Sequence, residues 1–152
     1  MSGPVSEAVK IAAELCREFE GLRLKPYLCP AGYPTIGYGT VYKPNGVMVT
    51  LRDEPITKEI AEAWLTYELK NKYVAGVLRY SPNLVNNVEA LAAMGDFAYN
   101  LGVGRYKAST LRKRIQDEDW GGAKEQLMKW VRGGGRILPG LVRRRKAECE
   151  IF

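Results

Sequence analysis

Histidine is absent from this 152-residue chain, which excludes a histidine-based nucleophile triad and any histidine-ligated metal. Cysteine is sparse and odd in number: Cys16, Cys29 and Cys149 are widely spaced, which argues against a disulfide framework and leaves at least one thiol unpaired within the chain. No apolar run approaches the ~18–20 residues that cross a bilayer. The N-terminal stretch MSGPVSEAVKIAAELCREFEG is interrupted by Glu7, Glu14 and Glu18 and lacks the basic-then-apolar pattern of an export signal. Zinc-ligand spacing, a Walker loop and a dinucleotide fingerprint are also missing, so neither a metal nor a cofactor is expected.

What is present is the composition of an ordinary soluble globular protein, 46% hydrophobic and 26% charged. The length suffices for one domain or two closely packed lobes with a real core. A net charge of +6 favours acidic partners: nucleic acid, an anionic membrane or an acidic polysaccharide. Apolar residues recur at helical spacing over 5–19 (Val5, Ala8, Val9, Ala12, Leu15, Cys16, Phe19), with Ser6 or Ser2 as the starting cap and Gly21 as the stop. Residues 20–56 change character: Pro26, Pro30, Pro34 and Pro44, with Tyr27, Tyr33, Tyr38 and Tyr42, read as short strands and turns. From the expected cap Thr57 the helical period returns as far as Tyr80 (Ile60, Trp64, Leu65, Leu69, Tyr73, Val77), and Ser81-Pro82 stops it. Asn86 and Glu89 resemble a capping box opening a helix through Tyr99 to Gly102. Ser109 caps TLRKRIQ, Asp119 caps a helix through Trp130, and Pro139 opens the last helix. The expected fold is α+β, one domain over 1–152. A small β-hairpin lobe (20–56) and a larger helical lobe (5–19 with 81–152) are joined by a long helix (57–80), with a cleft between them.

The stretch EFEGLRLKPYLCPAGYPTIGYGT, residues 18–40, holds the candidate chemistry. Glu20 continues the apolar stripe of the first helix at its C-terminal end. Partial burial and the negative end of the helix dipole both penalise its charged form, and a carboxyl that keeps its proton is what a general acid requires. The competing reading turns Glu20 outward or pairs it with an arginine as a structural ion pair. In Thr35-Ile36-Gly37-Tyr38-Gly39-Thr40, strand alternation places Thr35, Gly37 and Gly39 on one nearly bare face, a shelf for a flat ligand or merely a bend or bulge. Cys29 precedes Pro30 and is biased to an extended conformation. Taken alone it reads as a small buried apolar residue.

The order Glu20, eight residues, Cys29, five residues, Thr35 resembles the Glu–Asp/Cys–Thr catalytic triad of phage-type lysozymes, the endolysins of glycoside hydrolase family 24. The flanking FEG, CPAGYPT and TIGYGT resemble that family's active-site hairpin. FAYNLGVGRYKASTL, WGGAKEQLMKWVRGGGRILPGL and RRRKAECEIF resemble its helical lobe, so the likeness runs from Lys10 to Phe152. The resemblance implies a lysozyme-like fold and a muramidase that hydrolyses the β-1,4 bond between N-acetylmuramic acid and N-acetylglucosamine in bacterial peptidoglycan. It implies Glu20 as the general acid and Thr35 as a hydroxyl that helps hold the attacking water. At Cys29 the family admits Asp or Cys. A thiol activates water only with its pKa lowered, and Arg23 and Lys25 are the cations close by in sequence. Water activation predicts inversion at the anomeric carbon and direct thiolate attack predicts retention; the reading adopted is a water held by Cys29 and Thr35.

Tyr99 and Asn100 line the cleft by stacking and by hydrogen-bonding an N-acetyl group, or else serve as core and helix cap. Trp64, Trp120 and Trp130 read as core, and VRRRK as the solvated face of the last helix. A nucleic-acid module would need a basic stripe interleaved with exposed aromatics, whereas here acids alternate with the cations; no nucleic-acid partner is expected. A lytic transglycosylase leaving anhydro ends and a non-catalytic cationic wall- or membrane-binding protein are the other readings. The expected partner is peptidoglycan, with electrostatic contact to an anionic envelope, and the expected state is a monomer. It would accumulate in the host bacterial cytoplasm and reach the wall through a separate membrane-permeabilising protein.

Overall fold

The computed structural model describes residues 3–152; Ser2, one of the two expected caps of the first helix, lies outside the described residues. Helix α1 (Pro4–Glu20) starts behind Gly3 with Pro4 in its first turn, and Ser6 lies inside the helix rather than capping it. Proline's fixed φ is already helical and its missing N–H is not needed there. The small side chains on one face of α1, Ala8, Ala12, Ala13 and Cys16, are buried and pack chiefly on α4 (Val88–Leu101). That helix is itself built for close approach. A Cβ on its Gly95 would lie 2.9 Å from Val74 Cγ2 and 3.7 Å from Ala12 Cβ.

Thr57 caps α2 (Lys58–Glu68), its hydroxyl accepting from the Ile60 amide at 3.1 Å. The long connecting helix then widens into a π turn over Leu69–Tyr73 before resuming as α3 (Val74–Tyr80). Ala61, Leu65, Leu69, Val74 and Val77 carry its buried stripe. A 3₁₀ turn at Pro82–Leu84 follows, and it places the cap of α4 one residue later than the expected Asn86–Glu89 box: Asn87, whose amide is bonded back to Leu84 O, accepts from the Ala90 amide. Helices α5 (Val103–Ala108), α6 (Thr110–Gln116) and α7 (Trp120–Leu127) complete the lobe, with Ser109 and Asp119 as caps. α7 stops short of Trp130 because the next turns tighten to i→i−3 bonds, Lys129 N to Gln126 O and Trp130 N to Leu127 O. A small ribbon, β3 (Arg132–Gly133) with β4 (Arg136–Ile137), leads into α8 (Pro139–Ile151), which packs on α4. Trp120 and Trp130 pack on the core, whereas Trp64 is half-buried outside it. Among the described residues no helix is long and apolar enough to cross a membrane.

The smaller lobe is an antiparallel pair, β1 (Arg23–Leu28) with β2 (Pro34–Gly37), in register at Tyr27–Thr35 and Leu28–Pro34, with an irregularity between Arg23 and Tyr27. Pro26 lies in that interval and has no N–H to give the ladder. The strand expected to run on through Thr40 ends at Gly37. The chain turns at Tyr38-Gly39 and a single bridge joins Ile36 to Thr40, so the two glycines do not share one flat face.

Candidate active site

Glu20 is the last residue of α1, with Gly21 at φ 73° carrying the chain away from the helix. Its side chain is 22% exposed, and Oε2 takes a hydrogen bond from Arg144 Nη1 at 2.5 Å. A carboxylate at a helix C-terminus meets the negative end of the dipole, and the guanidinium offsets that repulsion. The arginine partner that one reading of the sequence allowed is therefore present. Arg144 is buried, and its Nε and Nη2 donate to the two oxygens of the fully buried Asp96 at 2.9 and 2.8 Å. The neighbouring Arg145 donates to Asn100 Oδ1 at 2.8 Å and to Glu148 Oε2 at 3.0 Å. VRRRK is thus a solvated face only at Arg143 and Lys146, which are exposed; Arg144 is 4% and Arg145 0% exposed. They are tolerated there because each meets buried carboxyls. The signal for this lay elsewhere in the chain, in Asp96, a single acid set in the apolar run LAAMGDFAYN.

The opposite wall is the β1–β2 hairpin. Cys29 opens its turn, with Cys29 N bonded to Tyr33 O at 3.0 Å and Gly32 N to Cys29 O at 2.8 Å. The thiol pKa is lowered, first by the Tyr33 amide and then by the Thr35 hydroxyl and the Ala31 and Gly32 amides, against a smaller opposing effect of burial. The sequence pointed instead to Arg23 and Lys25. Arg23 lies over the Tyr27 ring, 4.3 Å from its centroid. Thr35 is 2% exposed and its hydroxyl donates to Tyr33 O at 2.8 Å. That hydroxyl has a single hydrogen, so an ionised Cys29 and the Tyr33 carbonyl compete for it. Tyr27 of β1 lies within electrostatic reach of both Glu20 and Cys29. Burial pushes its phenol pKa up, and negative charge on Glu20 and on Cys29 adds to the effect.

The two glycines of TIGYGT divide their roles. A Cβ on Gly39 would lie 3.0 Å from Glu20 Oε1 and 3.7 Å from Tyr99 Oη, whereas one on Gly37 would meet Ala61 Cβ at 3.4 Å. Gly39 therefore leaves room for the carboxyl, whereas Gly37, where a Cβ would make an ordinary contact with α2, is required by its φ of +68°. Tyr99 donates its hydroxyl to the Tyr38 carbonyl and meets Tyr73 edge-on at 4.9 Å. Asn100 has its amide oxygen engaged by Arg145, though it also lines a hollow of about 810 Å³ with Phe19, Glu20, Leu141 and Arg144.

Beside Gly39 a second hollow, of about 580 Å³, is lined by Tyr33, Tyr42, Tyr67, Glu68, Lys72 and Tyr73. Glu68 is the residue that sequence reading missed. Burial pushes its carboxyl up to about 7, partly opposed by Tyr99, Lys72 and Thr40 and reinforced by Glu20. The Thr40 hydroxyl close to it is buried. The clue was spacing: Glu68 follows Ala61 and Leu65 on the inward stripe of α2. Among the described residues no group of three or more Asp, Glu or Cys is arranged to hold a metal.

Comparison with known proteins places the chain among relatives. The family model described as phage lysozyme matches residues 17–148. An endolysin of Acyrthosiphon pisum secondary endosymbiont phage 1 is 35% identical over 145 residues, covering 91% of this chain and 92% of the relative. A SAR-endolysin of bacteriophage PS34 is 34% identical over 87% of this chain and 75% of its own length. Among solved structures, an endolysin from Escherichia coli O157:H7 phage FAHEc1 superposes with a TM-score of 0.73 at 28% identity, covering 93% of this chain and 90% of that one. The muramidase domain of SpmX from Asticaccaulis excentricus gives 0.72 at 26% identity, covering 93% of each chain.

Proposed function

Because the chain belongs to the phage lysozyme family, and so is a glycoside hydrolase of the endolysin and muramidase kind with peptidoglycan as its substrate, we propose that it cleaves the β-1,4 bond between N-acetylmuramic acid and N-acetylglucosamine with Glu20 as general acid. The observation that carries this reading is the Glu20 carboxyl, which lines the hollow beside α8 and reaches with Oε1 to the bare face of Gly39 on the wall of the second hollow. Glu20 gives its proton to the departing glycosidic oxygen as the bond to the anomeric carbon breaks. A water held by Cys29 and Thr35 attacks that carbon and passes its proton to the Cys29 sulfur. The lowered thiol pKa supports this base role. The Thr35 hydroxyl, whose hydrogen is turned to Tyr33 O, keeps its oxygen lone pairs for the water. Gly37, Tyr99 and Asn100 act through packing, since their contacts go to Ala61, Tyr38 and Arg145. In this reading the protein acts as a monomer, accumulates in the host cytoplasm and reaches the wall after a separate protein opens the membrane.

The test is mass spectrometry of fragments released from purified peptidoglycan by the wild type and by Glu20→Gln, with NMR of fresh product. Reducing muramic-acid ends of inverted configuration are expected from the wild type, with a loss of about 10³-fold or more in the variant. Anhydro ends would make it a lytic transglycosylase, and retained configuration would put Cys29 in the role of nucleophile. Killing of cells by a Glu20→Gln protein that releases no fragments would favour a cationic wall-binding protein.

A further inference from the structure

A general acid in contact with a guanidinium is a chemical contradiction. An opposite charge at hydrogen-bond distance favours the ionised carboxylate, yet the acid must hold a proton when substrate arrives. Among the described residues Arg144 is the one cation paired with Glu20. Its other edge is filled. Asp96, fully buried on α4, takes Nε and Nη2 in a two-pronged clamp at 2.9 and 2.8 Å. Asp96 also accepts from the Cys16 thiol at 3.2 Å.

The remaining titratable groups facing Glu20 are Cys16 on its own helix, Tyr27 of β1, Glu68 at the end of α2, Tyr73 of the π turn and Tyr99 of α4. Burial keeps the Cys16 thiol and the three phenols neutral at physiological pH. Glu148, close to Asp96 in the same buried cluster, has its pKa pushed well up, first by burial and then by Asp96. Asp96 is held down despite its own burial, by hydrogen bonds from Glu148 and Arg144. The buried negative charge set directly against Arg144 therefore resides on Asp96.

We propose that Asp96 is a positioning residue for the reaction: its carboxylate clamps and neutralises Arg144, so that the guanidinium aims the Glu20 carboxyl at the cleft without stripping its proton. A purely structural ion pair would be complete with Arg144 and Asp96 alone; the third edge, Nη1 to Glu20, extends the pair to a carboxyl whose other oxygen faces Gly39 on the wall of the second hollow. The inference rests on Glu20 being the acid.

The test is the rate of peptidoglycan hydrolysis against pH for the wild type, Asp96→Asn and Glu20→Gln, with thermal melting to measure the folded fraction. In Asp96→Asn the uncompensated Arg144 charge should move the alkaline limb of the profile about one pH unit or more toward acid. At the optimum kcat should fall about tenfold with little change in KM, because an anchored carboxyl has become a misaligned one. A wild-type profile in folded Asp96→Asn, alongside an inactive Glu20→Gln, overturns this proposal alone; a fully active Glu20→Gln overturns the parent reading. If Asp96→Asn does not fold, the paired change Asp96→Asn with Arg144→Gln removes both charges together. It should then lower kcat while leaving the alkaline limb free of any acid shift, and wild-type kcat in that pair would overturn the proposal.

Discussion

The two walls of the cleft are held by different means. On the helical side Glu20 of α1 hangs from a buried polar set, Asp96 of α4 with Arg144 and Glu148 of α8, so that three helices far apart in sequence meet there. On the hairpin side Cys29 and Thr35 are held by the amides and carbonyls of one short turn, with only local contacts. The helical wall is expensive to assemble and stiff, since every member needs its partner. The hairpin wall depends on backbone shape, so the side chain at its tip is exchangeable as long as the turn survives. A family that admits either Asp or Cys at this corner, as the sequence resemblance implies, fits that division.

The sharpest break of this comparison is at the seam, where the hairpin touches the acid. Gly39→Ala puts a methyl group 3.0 Å from Glu20 Oε1 at a φ of +86°. Activity per folded molecule should fall on the order of 10- to 100-fold through misplacement of the acid. Gly37→Ala, at φ +68° with Ala61 Cβ 3.4 Å from the new methyl, should cost about 1–2 kcal/mol of stability and leave that specific activity near wild type. Steady-state rates beside melting curves separate the two, and equal activity losses would erase the distinction between the glycines.

Next in size is Glu68, where the walls meet the connecting helix. Its carboxyl lies at about 7 in the folded chain against an ordinary 4.5. The folded state therefore keeps this proton to higher pH than the unfolded state does, and the stability it contributes is lost as pH rises from about 4.5 through about 7. Glu68→Gln should accordingly be more stable than wild type at pH 8 by on the order of 2 kcal/mol, with the gap closing below pH 4.5. Chemical denaturation at the two pH values measures it, and a variant less stable at pH 8 would contradict the burial argument.

The smallest effect concerns the thiols. Cys29 is favoured as thiolate by its turn, while burial pushes Cys16 and Cys149 up, with nearby carboxylates adding to both. Iodoacetamide at pH 7 should label Cys29 about tenfold faster than Cys149 and leave Cys16 unlabelled until unfolding. Peptide mapping over time gives the order, and preferential labelling of Cys149 would count against the turn as the source of Cys29's acidity.

Much of this was legible in the residues. The first helix, the caps Thr57, Ser109 and Asp119, and the proline-rich hairpin are local decisions, made by spacing and by side chains that bond their own backbone. Glu20, Cys29 and Thr35 were singled out as candidates through their order along the chain. What escaped notice depended on partners far away. Arg144 looked solvent-facing because its reasons for burial, Asp96 and Glu20, lie 48 and 124 residues distant. The TIGYGT alternation suggested a longer strand because period-2 spacing cannot reveal a glycine turning at positive φ. Asn87 replaced Asn86 as a cap because a 3₁₀ turn shifted the start by one residue.

The π turn over Leu69–Tyr73 has a consequence for which mutations this gene can accept. It holds one residue more per turn than regular α-helix, between Glu68 and the Tyr73 ring that both line the cleft. Exposed Lys70 and Asn71 sit within it, and Asn71 lines the second hollow and donates its side-chain amide to Tyr67 O. Losing either codon would let the segment relax to regular α winding and keep the buried Val74 and Val77 in phase with α2, because the wide turn is what absorbs the extra residue. At this one turn natural drift can drop a letter that a regular stretch of the same helix could not spare.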